Sequence, residues 1–279
     1  MRSIIHYSLY CFKSLLYDLS FHYGLTLCLL FYVQLSRDLK WWTAVPHVKN
    51  GAPIEQVQET AYLHCDSSSF GWGAVLNGQE EARGFWTLED RKQHITFKEL
   101  KAVRFALLTF LDDLKDRRVL LHEDNAAVVH VINILTSRSK TMMEELREIW
   151  QILDFHNISL RAHYITSEDN KEADRLSRVL DVEDWQLNPK FFRYIDRLWG
   201  PHTVDRFATM NNSQLPRYNA KWWDPGAEAI DCLQLKDETW RQESNWCNPP
   251  WSLIPPLLAK IQKIGAAATI VAPIWRQKA

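Results

Sequence analysis

The 279-residue sequence lacks the patterns that mark zinc-binding, disulfide-rich, secreted or membrane-spanning proteins. The apolar run at residues 24–33 has only ten residues, whereas a membrane-spanning helix needs about 20. No small-residue cleavage pattern follows the first residues, so a signal peptide is not indicated. The five cysteines are odd in number and form no close pair: Cys11, Cys28, Cys65, Cys232 and Cys247. We therefore expect an intracellular protein, cytoplasmic or nuclear, that is neither secreted nor inserted in a membrane.

The sequence also lacks the excess of basic residues that accompanies many nucleic-acid-binding proteins. Lys and Arg number 33 against 34 Asp and Glu, which gives a formal net charge of −1. Between residues 61 and 180 the acidic side chains outnumber the basic ones. This balance argues against a nucleic-acid partner unless bound cations offset the acidic charge. The hydrophobic content of 46% is nevertheless ample for packed cores, so we expect a globular chain.

The middle of the chain predicts a sheet flanked by helices. Three runs at residues 61–66, 71–76 and 82–88 favour strands, and Asn77-Gly78 between the last two indicates a hairpin. Apolar residues then recur at helical spacing through residues 96–114. The elements that follow are a strand at 118–123, helices at 125–135 and 140–154, a strand at 158–165 and a helix at 168–179. This order predicts an α/β fold with a five-stranded mixed sheet in residues 61–180.

Four acidic residues occupy positions from which these elements could bring them together: Asp66, Glu99, Asp124 and Asp174. Asp66 and Asp124 end predicted strands, whereas Glu99 and Asp174 lie on predicted helices. If the two strands are neighbours, two carboxylates meet at adjacent strand ends and each helix can add one more. Carboxylate oxygens are the ligands that Mg²⁺ prefers in proteins. The joint pattern therefore predicts a metal site.

Each acid has a simpler interpretation when it is taken alone. Glu99 completes a capping box that begins at Thr96, Asp124 or Asn125 can cap the following helix, and Asp174 can be a solvated helix residue. A further acidic pair, Asp112-Asp113, resembles the aspartates of polymerase sites only superficially, because it falls in the predicted helix 96–114. We interpret that pair as solvated, and no polymerase centre is predicted.

The segments around the four acids carry a family resemblance. CDSSSFGWGAV, TFKELKAV, HEDNAAVV and NKEADRLSR resemble the four motifs of the ribonuclease H domain attached to retroelement reverse transcriptases. RDLKWW and NGAPI before the domain, with YITSEDNKEADRLSR at its end, resemble the tyrosine-recombinase retrotransposons of the DIRS and Ngaro type. The resemblance covers about residues 35–179 and continues more loosely beyond. It implies a ribonuclease H-like fold, and it implies that residues 1–60 include the connection to an upstream polymerase region missing from this chain.

The resemblance also implies the chemistry. It implies an endoribonuclease that hydrolyses the RNA strand of RNA–DNA hybrids with two Mg²⁺ ions, or Mn²⁺ in their place. Asp66 would bridge the ions, Glu99 and Asp124 would complete one site, and Asp174 would complete the other. Backbone contacts to the hybrid are expected from Ser67, Ser68, Asn125 and Asn170. Many relatives carry a histidine six residues before Asn170, where this chain has Tyr164; His163 lies one residue earlier, and neighbours on a strand point to opposite faces.

The chain beyond residue 180 has a different composition. Residues 181–199 predict a helical linker, and residues 200–279 predict a second, small α/β domain. Its Asn248-Pro249-Pro250-Trp251 segment resembles the catalytic turn of phage-type adenine methyltransferases, which implies S-adenosylmethionine as cofactor if this domain is active, with Asp205 and Asp231 as candidate contacts. Only three glycines follow residue 179, so no glycine-rich nucleotide loop supports a methyltransferase function. A Pro-Pro turn before a helix is also common in proteins of other functions.

Three classes of function therefore stay open. The first is the hybrid-specific nuclease, and the second is an adenine methyltransferase with an inert nuclease-like domain. The third is an inactive retroelement remnant that binds nucleic acid. All four acids are present, and their presence favours the first class.

Overall fold

The computed structural model describes residues 59–179 and 186–273. The expectations for the N-terminal segment fall almost wholly on residues outside this part of the chain, as do those for residues 180–185. No helix within the described residues is both long enough and apolar enough to cross a bilayer.

The first part of the chain forms a five-stranded mixed sheet. Its strands are β1 (Ala61–Ser67), β2 (Gly71–Leu76), β3 (Glu80–Phe85), β4 (Arg118–Glu123) and β5 (Ser159–Tyr164). The spatial order is β3-β2-β1-β4-β5, with antiparallel pairing in the hairpins and parallel pairing of β1 with β4 and of β4 with β5. Asn77 and Gly78 both have positive φ, as the predicted hairpin turn requires. The predicted five-stranded mixed sheet is confirmed.

Helices cover both faces of this sheet. They are α1 (Leu88–Arg91), α2 (Ile95–Thr109), α3 (Leu111–Leu114), α4 (Ala126–Ile134), α5 (Lys140–Phe155) and α6 (Lys171–Arg178). The face under α2 is the main core, where Phe105 packs edge-on against Trp72 of β2. The opposite face carries α6, which approaches β2 so closely that a Cβ on Gly73 would lie 2.5 Å from the carbonyl oxygen of Ala173. Glycine at position 73 therefore permits this contact.

Several predicted boundaries are wrong. The helix expected over 96–114 breaks at Phe110, and α3 continues after it, although Asp112 is exposed as expected. The third strand ends at Phe85 and not at residue 88, because Thr87 caps α1. The closing helix begins at Lys171, three residues later than expected. The capping box at Thr96 is not formed, since α2 begins one residue earlier and the His94 side chain accepts from the Thr96 N–H.

The second part of the chain is a small α/β unit, as expected. Its elements are α7 (Pro189–Trp199), β6 (Val204–Asp205), β7 (Asn219–Ala220), β8 (Ala229–Ile230), α8 (Asp237–Arg241), β9 (Asn245–Cys247), α9 (Ile254–Ile264) and β10 (Ala268–Ile270). Strands β10, β9 and β6 form a parallel sheet in that order. Trp223 joins the two parts, because its ring lies 4.4 Å from the ring of Phe105 and its N–H donates to the Thr109 hydroxyl.

Candidate metal centre

Three of the four predicted acids converge at one end of the five-stranded sheet. Asp66 lies near the end of β1, Asp124 directly follows β4, and Glu99 projects from the first turns of α2. One carboxylate oxygen from each lies within 4.8 Å of the others. The convergence follows from the fold, because β1 and β4 are parallel neighbours and α2 packs over β1. These three residues could hold a divalent cation.

Burial and mutual repulsion disfavour ionisation of the carboxylates in this group. Burial raises the pKa of Asp66, and with the added repulsion from Asp174 and Asp124, partly offset by the hydrogen bond from Ser177, it reaches about 6. Burial likewise raises the pKa of Glu99, with Glu123 and Asp66 as further causes. Closely spaced like charges disfavour ionisation. A bound divalent cation would reverse the balance, because it favours the ionised form of every carboxylate around it.

One carboxylate oxygen in this group has no hydrogen-bond donor, as expected for a metal ligand. Glu99 is only 5% exposed, and its Oε2 atom is buried and accepts no hydrogen bond. A buried carboxylate oxygen without a donor is costly to keep. Carboxylate oxygens are also the donor type that Mg²⁺ and Mn²⁺ favour over imidazole or thiolate. Both the missing donor and the chemistry of the donor set therefore suit a hard divalent cation.

The fourth predicted acid, Asp174, lies beside this group on α6. It is close enough to raise the pKa of Asp66, but its carboxylate is not among the three that converge within 4.8 Å. Arg178 instead donates two hydrogen bonds to Asp174 Oδ1, at 2.8 Å from Nε and 2.6 Å from Nη2. This pair is partly exposed. Asp174 is thus adjacent to the centre, and its role as a ligand stays a prediction.

The residues expected to contact nucleic acid are largely engaged inside the protein. Ser67 and Ser68 are both buried, and the Ser68 hydroxyl donates to the Ser177 carbonyl at 2.6 Å. Asn125 is the N-cap of α4 and accepts from two backbone N–H groups. Asn170 is 1% exposed and donates to the Cys65 carbonyl at 2.8 Å. These contacts hold the strand ends in place, and binding of nucleic acid by the four residues stays a prediction.

Three polar residues at the centre were not singled out from the sequence. Ser177 donates to Asp66 Oδ2 at 2.6 Å, and Arg178 pairs with Asp174 as described above. Helical spacing could have identified both, because residues at i+3 and i+4 share a face with Asp174. The third is Glu123, which is fully buried, has a pKa raised by burial, and leaves Oε2 without a partner. The sequence did not indicate Glu123, because it is the neighbour of Asp124 and neighbouring residues on a strand are expected to point to opposite faces of the sheet.

We expect the Ser177→Ala substitution to weaken both metal binding and any metal-dependent activity by about 10- to 100-fold, the usual effect of removing a hydrogen bond that orients a ligand. The loss follows because the Ser177 hydroxyl stabilises the ionised form of Asp66. Isothermal titration with Mn²⁺ would measure the change. Ser159→Ala on the exposed part of β5 is the matched control, and equal affinities of the two variants would contradict the prediction.

Comparisons with known proteins find matches to the part of the chain that forms the five-stranded sheet. A family model described as reverse transcriptase-like matches residues 59–179. In the part of the chain that this match spans, the strand order confirms the predicted five-stranded mixed sheet flanked by helices. The match covers the sheet and all four predicted acids. A search of curated proteins found no match.

Similar solved structures include two ribonucleases and one viral polymerase. LC11-RNase H1 in complex with an RNA/DNA hybrid is 20% identical over 42% of this chain and 93% of that chain, with a TM-score of 0.36. RNase H1 from the halophilic archaeon Halobacterium salinarum is 17% identical over 42% of this chain and 91% of that chain, with a TM-score of 0.35. The foamy viral protease-reverse transcriptase in complex with an RNA/DNA hybrid is 13% identical over 55% of this chain, with a TM-score of 0.31. The alignment covers 26% of that viral chain.

Proposed function

We propose that this protein is an endoribonuclease that hydrolyses the RNA strand of RNA–DNA hybrids with two bound Mg²⁺ ions. The observation that carries the proposal is the convergence of the Asp66, Glu99 and Asp124 carboxylates within 4.8 Å at the end of the sheet. The match of residues 59–179 to the reverse transcriptase-like family supports it. When bound, two such ions make a water molecule nucleophilic and stabilise the leaving 3′-oxygen of the cleaved phosphodiester.

The side chains of this chain would divide the remaining work. Asp66, Glu99 and Asp124 would hold and orient the ions, and Asp174 would complete the set on the exposed side. Ser177 keeps the Asp66 carboxylate in place and lowers its pKa through its hydrogen bond. Arg178 is two-thirds exposed beside Asp174, where its guanidinium can pair with a backbone phosphate. Selection of the hybrid would use the shape and the 2′-hydroxyls of the minor groove and would not read the bases.

We further propose that the chain is the ribonuclease H part of a reverse transcriptase from a tyrosine-recombinase retrotransposon. The motifs around the four acids and the RDLKWW and YITSEDNKEADRLSR segments support this origin. It implies a polymerase region upstream as partner in the complete protein.

The test is cleavage of a labelled 20-base-pair RNA–DNA hybrid by the purified chain in the presence of Mg²⁺. We expect cuts inside the RNA strand that leave 3′-hydroxyl and 5′-phosphate ends, because water attacks and the 3′-oxygen leaves. Duplex RNA, duplex DNA and single-stranded RNA of the same sequence are the substrate controls, and EDTA is the metal control. Cleavage that persists in EDTA, or that is equally fast on single-stranded RNA, would contradict the proposal.

We propose adenine methylation as a second candidate function, carried by the C-terminal unit. The Asn248-Pro249-Pro250-Trp251 turn directly follows β9, the central strand of the parallel sheet. Ligand sites of open parallel sheets lie outside the carboxyl ends of their strands. A cavity at this edge is lined by Asn248 and Pro250 together with Asp231. Transfer of a labelled methyl group from S-adenosylmethionine to DNA, lost in Asn248→Ala and kept in Asp66→Asn, would support this candidate.

A further inference from the structure

Three histidines form a row across the strands β1, β4 and β5. His64 and His122 are register partners in the first strand pair, and His122 and His163 are partners in the second. The preceding residues Leu63 and Leu121 are fully buried in the core beneath α2. Because side chains alternate along a strand, the histidines project from the opposite face of the sheet. His163 is exposed there, and His64 and His122 are half-buried.

The rings of this histidine row (His64, His122 and His163) face one another. His122 Nδ1 lies 2.9 Å from His64 Nε2, and the two ring centroids are 4.4 Å apart. The centroids of His122 and His163 are 6.0 Å apart, with the ring planes inclined at 71°. Among the residues that the structure describes, no ion pair joins the row to an acidic side chain. The Asn170 side chain hydrogen-bonds His64, and imidazole nitrogens are the other ligand atoms that the row presents.

The spacing of these nitrogens suits a shared transition metal. Imidazole nitrogens bind Zn²⁺ at about 2.0–2.1 Å, so the His64 and His122 nitrogens need to separate by only about half an ångström to give tetrahedral angles at one ion. The three histidines do not form a group whose ligand atoms all lie within 4.8 Å of one another, because the His163 ring lies farther from the other two, with its centroid 6.0 Å from that of His122. The exposed position of His163 leaves room for the side-chain rotation that would bring one of its nitrogens to the ion.

We propose that His64, His122 and His163 form a binding site for a borderline divalent transition metal such as Zn²⁺, with three imidazole ligands and one outward position open to water. Nitrogen donors favour Zn²⁺, Co²⁺, Ni²⁺ and Cu²⁺, whereas the carboxylates of the first centre favour Mg²⁺ and Mn²⁺. His64 and His122 precede Asp66 and Asp124 by two residues on the same strands, so the two sites lie about 7 Å apart along the sheet. The chain would then carry two metal sites of different selectivity on adjacent strands.

The proposal is tested by titrating Co²⁺ into the Asp66→Asn/Asp124→Asn double variant in excess Mg²⁺, with the visible absorption of Co²⁺ as the signal. The double substitution disables the carboxylate centre, so the outcome is independent of the nuclease proposal. We expect one equivalent of Co²⁺ to give the strong visible bands of a four-coordinate nitrogen site, and Zn²⁺ to displace it.

Variants of the row give the decisive comparison. His163→Asn in the same background is expected to weaken Co²⁺ binding at least about tenfold, because it removes a direct ligand. His130→Asn, on the exposed side of α4, is the matched control and is expected to leave the affinity unchanged. His122→Asn should abolish binding, with the circular dichroism spectrum as the check on folding. If Co²⁺ gives no such bands, or if His163→Asn and His130→Asn bind equally well, the row is only a hydrogen-bonded histidine pair and the proposal is overturned.

Discussion

The Asp66→Asn substitution is expected to reduce cleavage of the RNA–DNA hybrid by more than about 100-fold. The estimate is a lower bound, because removing a residue that merely orients a metal ligand already costs about 10- to 100-fold. Asparagine keeps the size of the side chain and one carbonyl oxygen, yet it removes the negative charge at the point where three carboxylates meet. The measurement is the initial rate of cleavage at saturating Mg²⁺ with a gel or fluorescence readout.

The same variant should be folded and at least as stable as the parent chain in metal-free buffer. The Asp66 carboxylate is 4% exposed and surrounded by other acids, so its ionisation destabilises the fold when no cation is bound. Asp112→Asn is the matched control, because that carboxylate is 91% exposed, pairs with Lys115 and is not part of the converging group. Equal cleavage rates for Asp66→Asn and Asp112→Asn would contradict the nuclease proposal. A loss of activity that accompanies unfolding would not count as support.

The sheet and the convergence of its acids could largely be predicted from the sequence. Runs rich in aromatic and β-favouring residues, the Asn77-Gly78 turn and the long apolar period of α2 specify the order of elements. The sequence left the adjacency of β1 and β4 as a condition; the structure shows these strands as parallel neighbours, so Asp66 and Asp124 meet. Glu99 joins them because it lies in the first turns of a helix that covers β1.

Other features depend on tertiary packing and left no local pattern. The apolar period runs through Phe110 without interruption, and only the structure shows the helix break there. The burial of Glu123 contradicts the tendency of a charged residue to avoid the core. The C-terminal strands are two or three residues long, too short for periodicity to define. The histidine row also needs the register of β1, β4 and β5, because its members are far apart in sequence.

In metal-free buffer, the stability of the chain is expected to fall as the pH rises from about 4 to 7. Burial raises the pKa of Asp66 and of Asp205 to about 6 in the folded chain, whereas an unfolded aspartate has a pKa near 3.9. The folded state therefore binds these protons more tightly than the unfolded state. The contribution of each group is fully present below about pH 4 and is lost as the pH rises through about 6, at a cost of about 3 kcal/mol per group. The raised pKa values of Glu99 and Glu123 extend the loss to higher pH.

Saturating Mg²⁺ should raise the stability of the folded chain, because the ion binds the folded state and not the unfolded one. The increase should grow with pH, because the ion binds ionised carboxylates. Thermal melts at pH 4, 5, 6, 7 and 8, with EDTA or with Mg²⁺, measure both effects. The variants separate the two carboxylates: Asp66→Asn should reduce both the slope in EDTA and the gain from Mg²⁺, whereas Asp205→Asn should reduce the slope alone. A melting temperature in EDTA that does not change between pH 4 and 8 would mean that ionisation of the buried Asp66 carboxylate does not destabilise the fold. A gain from Mg²⁺ that survives Asp66→Asn undiminished would place the bound ion somewhere other than the end of β1.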